Sequence, residues 1–142
     1  MTAPITELSE EERIFRDTVR EFAEWRVAPR VAEMEREKCQ PPELIAELFG
    51  LGLMGIEVPD QYGGAGLDPV AYALAMIEIA AADCAHSTIM SVNNSLYCNG
   101  ILKYGTEEQK QKYVRAVASG EAIGAYALTE PQSGSDASAM HT

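Results

Sequence analysis

Tyr126-Ala127-Leu128-Thr129-Glu130-Pro131-Gln132-Ser133-Gly134-Ser135-Asp136 is the stretch on which the reading of this chain turns. Residues 122–129 (AIGAYALT) combine small, β-branched and aromatic side chains and predict a strand. Residues 131–138 (PQSGSDAS) predict a polar loop. The loop offers Ser133, Ser135, Asp136 and backbone N–H groups, and Gly134 lets the backbone approach a ligand closely. Such a loop suits a planar heteroaromatic with several acceptors, or a phosphate. An ordinary hairpin loop is the competing reading.

Everything upstream reads as helix. Ser9 followed by Glu12 is a capping box. Phe15, Val19, Phe22 and Arg26 then recur on one face, widened by Ile14, Thr18 and Trp25. That helix is expected to reach about Ala28, before Pro29, with a short continuation from Arg30 to Glu37. Leu44, Leu48 and Leu51 predict a second, short helix with Pro42 in its first turn. Met54, Ile56 and Val58 alternate, but Pro59 stops any strand there. Asp68 and Pro69 predict a cap and first turn for a helix to Ala82 that is apolar almost all round, hence buried on most sides. A further helix is expected from Cys84 or Ala85 to Tyr104, and another from Thr106 to Ala118.

The chain has 142 residues and is 46% hydrophobic, enough to build a core. It carries 22 acidic against 11 basic residues, a net charge of −11. Both halves are acidic, which argues against nucleic acid or an anionic membrane surface as the main partner. No apolar run approaches the roughly 18 residues of a bilayer span. Cys39, Cys84 and Cys98 lack metal-binding spacing and read as reduced, small buried hydrophobes. Residues 1–8 show neither signal nor transit pattern, so a cytoplasmic location is expected.

Other motifs have structural readings. The loop Gln61–Gly66 (QYGGAG) lacks the lysine and hydroxyl of a phosphate loop and reads as a turn. Glu107 and Glu108 sit where a helix dipole favours acids. His86 is a base only in the less favoured reading. Asn93-Asn94-Ser95 is a polar patch in an apolar helix, and buried amides need partners. A cavity, a partner subunit and a neighbouring helix end remain open.

Three segments together resemble the acyl-CoA dehydrogenases. Thr129–Asp136, preceded by Ala127-Leu128, looks like that family's first signature. Val58-Pro59-Asp60-Gln61-Tyr62-Gly63-Gly64-Ala65-Gly66 resembles its P-x-x-Y-G-G-x-G loop. Asn94-Ser95-Leu96 through Tyr104-Gly105-Thr106-Glu107-Glu108-Gln109-Lys110 is similar to its substrate-side helix and the junction that follows. Order and spacing fit, the resemblance covers essentially the whole chain, and details lean toward the short-chain, butyryl-CoA-like branch.

The resemblance implies an all-α fold over residues 1–120, the family's N-terminal helical domain. Residues 121–142 then open a truncated middle flavin-binding β-domain with its first strand. It implies FAD as cofactor and α,β-desaturation of a short-chain acyl-CoA in fatty acid β-oxidation. A glutamate removes the α-proton and a hydride passes to the flavin. Electrons then pass to an electron-transferring flavoprotein, and the full-length enzyme is a homotetramer or dimer. Carried onto this chain, Tyr126, Leu128 and Thr129 contact the flavin ring, and Gly134 and Ser135 continue that wall. Ser135 also touches substrate, and Val92 and Leu96 line the acyl pocket. Glu130 is a structural carboxylate bonding neighbouring backbone. The catalytic glutamate lies beyond residue 142, so no catalytic residue is named here. No metal ligand is expected. An acyl-CoA oxidase of the same superfamily and a non-catalytic helical assembly module are the alternatives.

Overall fold

The computed structural model describes residues 7–142; the expectation for the first six residues lies outside them. Helix α1 (Glu10–Phe22) begins in the expected capping box. The Ser9 backbone N–H donates to Glu12 Oε2 at 2.5 Å, and the Glu12 N–H donates to Ser9 Oγ at 3.2 Å. Each bond satisfies a donor that the first turn leaves without a helical partner.

The continuation expected from Arg30 to Glu37 forms, but without a break at Pro29. A π-helical turn (Ala23–Val27) and a 3-10 turn (Ala28–Arg30) carry the chain into α2 (Val31–Glu37). Pro29 lies in the first turn of the 3-10 segment, where its missing N–H costs little. The helical run ends at Lys38, whose φ of 52° is left-handed.

Helix α3 (Pro42–Gly50) follows, then turns through residues 51–66, then α4 (Pro69–Ala82). Asp68 caps α4 by accepting from the Ala71 N–H at 2.9 Å. Helix α5 (Cys84–Ser91) passes through a π-helical turn (Val92–Cys98) into α6 (Asn99–Tyr104). Thr106 and Gln109 form a second capping box at α7 (Glu107–Gln109), which runs through another π-helical turn (Lys110–Val114) into α8 (Arg115–Ala118). α1 packs along α4, and α4 against α5.

The main core joins Val19, Phe22 and Val27 to Leu44, Leu48, Met54, Ile56, Ile79 and Met90. A smaller one joins Val58, Tyr62, Cys98, Val114 and Val117. Charge pairs brace the outside. Arg20 makes a two-pronged bond to the buried Glu78 at 2.8 and 2.9 Å, and Arg26 does the same with Glu47 at 2.6 and 2.9 Å. The Arg26 hydrogen bonds, helped by its charge, hold the Glu47 carboxyl below its ordinary range.

The QYGGAG loop is structural, as read. A Cβ on Gly64 would collide with the Val58 carbonyl oxygen. Tyr62 is buried, and its hydroxyl donates to the Glu107 carboxylate at 2.9 Å.

Three further expectations are corrected. Ile14 and Trp25 do not widen the buried face of α1; Trp25 is 74% exposed. Helix α4 is not buried on most sides, since Val70 and Ile77 are exposed. Apolar periodicity marks a face but not whether another element covers it. Cys39 and Cys84 are exposed, whereas Cys98 is buried as expected, and all three thiols are free.

The strand expected over 122–129 does not form. Among the described residues the only β-type pairing is an isolated bridge between Glu130 and Ser133. A strand requires a neighbour for its backbone N–H and C=O groups, and none lies beside this segment. The described residues are therefore helical, without strands. No helix among them is long and apolar enough to cross a membrane.

Candidate functional site

The site begins in the helical run 84–104. Asp83 caps it, accepting from the His86 N–H at 2.9 Å and facing His86 Nδ1 at 2.6 Å. Burial works to raise the Asp83 carboxyl, but bonds from the His86 ring and from the His86 and Ala85 N–H groups outweigh it and lower it. His86 is fully buried while Cys84 is exposed, so the two form no nucleophile–base pair. The imidazole secures the helix start, which matches its structural reading.

The polar patch finds its partners inside the fold. Asn94 Oδ1 accepts from the Ile56 N–H at 2.7 Å, and Asn94 Nδ2 donates to the Leu53 and Met90 carbonyls at 2.8 and 2.9 Å. Asn93 Nδ2 donates to the Met54 carbonyl at 2.6 Å, and its Oδ1 accepts from the Gly124 N–H at 2.8 Å. Neither a cavity nor a partner subunit is needed to satisfy these amides. They sew the irregular segment 53–56 to the helix, and Asn93 adds a stitch to residue 124.

The chain then runs from 123 to 129 without helix, turn or bend. Tyr126 is 52% exposed, Leu128 42%, and Thr129 is exposed as well. Beyond them the loop closes on itself. Glu130 and Ser133 exchange backbone bonds of 2.9 and 3.0 Å, and Ser133 Oγ donates to the Asp136 carbonyl at 2.8 Å. Ser133 is thus buried, and does not belong to the face the loop offers outward, as its polarity had indicated. Gly134 and Ser135 are exposed, and a Cβ on Gly134 would meet nothing within 4 Å.

Glu130 is structural, as expected. Its carboxylate accepts from the His141 N–H at 2.9 Å and the Thr142 N–H at 3.2 Å. The His141 bond is the main cause that holds this carboxyl below its ordinary range.

The residues read from the sequence fall into two groups. Tyr126, Leu128, Thr129, Gly134 and Ser135 are exposed, on either side of the half-buried Glu130 and the buried Ser133. Val92 and Leu96 sit on the π-helical turn, half-buried and exposed respectively. A cleft of about 670 Å³ opens beside the start of the segment, bounded by Ile45, Phe49, Ile89, Ala122 and Ile123, but neither Val92 nor Leu96 lines it. The sequence reading missed Asn93 and Gly124 as the joint between the two groups. The signals were present: an amide in an apolar helix, and a glycine within an apolar run.

The described residues thus form a helical body followed by an extended segment tethered at Gly124 and a loop closed at Glu130 and Ser133. Residues 9–121 match the family described as acyl-CoA dehydrogenase, N-terminal domain, and the chain belongs to that family. It is 46% identical over 136 residues to the mitochondrial short-chain specific acyl-CoA dehydrogenase of Homo sapiens, covering 96% of this chain and 33% of that protein. It is 47% identical over 135 residues to an acyl-CoA dehydrogenase of Bacillus subtilis, covering 95% of this chain and 36% of that protein. Among solved structures it resembles a glutaryl-CoA dehydrogenase from Mycobacterium smegmatis in complex with FADH2. The TM-score is 0.87 at 38% identity, covering 95% of this chain and 35% of that one. The chain therefore spans about a third of the length of the curated relatives it matches.

Proposed function

We propose that this chain is the N-terminal part of a flavin-dependent acyl-CoA dehydrogenase. On this reading residues 1–120 are the helical domain and residues 121–142 open the flavin-binding β-domain. The observation that carries the reading is the anchored loop bearing the family signature, with its ligand-facing residues exposed. Membership of the family and the similarity to short-chain enzymes support a short acyl-CoA thioester as substrate.

The donor set suits FAD. Leu128 and Tyr126 offer apolar and aromatic surface for a flat ring, and about half of each is left uncovered by this chain. Thr129 and Ser135 carry hydroxyls without a hydrogen-bond partner among the described residues, available to the ring's polar edge. Open space at Gly134 leaves room for a ligand against the backbone. These residues make one wall of a site; the remaining walls belong to the rest of the protein. When bound, the flavin supplies the hydride acceptor for α,β-desaturation. The chain's own residues hold and orient that ring. Ser135 reaches toward the thioester side of the substrate, and Val92 and Leu96 face the acyl chain. The base that removes the α-proton, the electron-transferring flavoprotein that collects the electrons and the tetramer interface lie with the full-length enzyme.

The test is spectral. Full-length protein is expected to be yellow and to bleach when a short acyl-CoA is added without an electron acceptor. A colourless protein, or a flavin unmoved by any acyl-CoA, would sink the reading. The 142 residues alone are expected not to retain FAD, because one segment and one loop cannot enclose it.

A further inference from the structure

Asn93 is fully buried on the π-helical turn, and both ends of its amide are used. Nδ2 donates to the Met54 carbonyl at 2.6 Å, which fixes the amide's orientation. Oδ1 is thereby left facing the Gly124 N–H at 2.8 Å. Gly124 is itself buried, and its Cα lies against Tyr97, where a Cβ would stand 2.6 Å from Tyr97 Cγ.

Among the described residues, the segment 122–129 makes two backbone bonds to the helical body. Ala122 donates to the Ala116 carbonyl at 3.1 Å, and Gly124 donates to Asn93. Gly124 is therefore the last fixed point before the loop pair at Glu130 and Ser133. In unbent chain the side chains alternate with a period of two, so the setting of residue 124 passes to residues 126 and 128. Asn94, next door, makes comparable buried bonds, but only to residues 53, 56 and 90.

We propose that Asn93 is a positioning residue: its amide, locked on Met54, tethers Gly124 and so aims Tyr126 and Leu128 at the cofactor. The proposal rests on the flavin reading above for its ligand, while the tether itself can be measured without one.

The experiment compares Asn93→Ala with Asn94→Ala in the full-length protein. Both variants lose buried hydrogen bonds, so both are expected to melt earlier. Only Asn93→Ala is expected to weaken FAD binding to the apoprotein, by about tenfold, and to change the visible circular dichroism of the bound flavin. Asn94→Ala is expected to keep FAD affinity within about twofold. In the apoprotein, amide exchange over residues 124–129 is expected to quicken in Asn93→Ala and not in Asn94→Ala. Gly124→Ala strains the same joint from outside the helical core, and is expected to reproduce the Asn93→Ala pattern even if that variant fails to fold. Equal exchange in the two asparagine variants, or a folded Asn93→Ala with wild-type flavin affinity and spectrum, would overturn the proposal. A wild-type protein that takes up no flavin would count against the flavin reading alone, and the exchange comparison would still decide the tether.

Discussion

Leu44, Leu48 and Leu53 are sealed within the helical body, whereas Tyr126 and Leu128, a short way past it, are about half exposed. The contrast extends to the polar groups. In the body, caps at Ser9, Asp68, Asp83 and Thr106 satisfy helix starts, and Asn93 and Asn94 satisfy the irregular turns. Past residue 122 the backbone has few internal partners and holds its shape through a tether and a closed loop. A helix completes its hydrogen bonds within itself, but an extended segment requires a neighbour. The helical body thus closes its hydrogen bonds among its own residues, whereas the extended segment leaves most of its backbone groups without partners among the described residues.

That comparison is broken most severely by core truncation. Leu48→Ala is expected to cost about 2–5 kcal/mol in urea unfolding, because Leu48 is fully buried between packed helices. A loss under 1 kcal/mol, as for a surface change, would mean the body is looser than its burial indicates.

Next in size is alkaline sensitivity. Burial pushes the Cys98 thiol up to about 12 from its usual 9.0. The folded state therefore favours the protonated thiol. That contribution is whole below pH 9 and is lost as pH rises toward 12. Stability should fall across that window by up to about 1.4 kcal/mol per pH unit from this group. Cys98→Ala should flatten the slope relative to wild type. Parallel slopes would show that Cys98 titrates freely.

A smaller effect is expected from Ser133→Ala, which removes the bond to the Asp136 carbonyl. The cost is about 1 kcal/mol and should be local. Amide exchange in residues 133–139 should quicken while the melting point of the body stays in place. A matching drop in global melting would tie the loop into the main core. The smallest stability effect belongs to Leu128→Ala, expected within about 0.5 kcal/mol of wild type in unfolding measurements. On the proposed reading the same change weakens FAD binding. A stability loss equal to that of Leu48→Ala would erase the distinction between the two regions.

Much of the body is legible in the residues alone. Ser9, Asp68 and Thr106 mark helix starts because capping acts over three residues. The QYGGAG turn was also readable, and the family resemblance implied the structural role of Glu130. The errors share one cause. Ile14, Trp25, Val70 and Ile77 lie in apolar patterns, yet pattern does not reveal which face is covered. Ser133 looked ligand-facing because it is polar, and the loop's own closure turned it inward. The role of Asn93 escaped because its partners lie 39 residues before it and 31 after it.

Residue order alone marks most helix starts, the glycine-rich turn and the family signature. These rest on interactions closed within a few residues. Only the tertiary structure decided that the asparagine patch stitches the body together and that Gly124 is tied to it. It also decided that the segment bearing Tyr126, Leu128 and Thr129 runs open and unpaired. Buried amides and extended backbone take their partners from distant parts of the chain, and only folding brings those partners within hydrogen-bond reach.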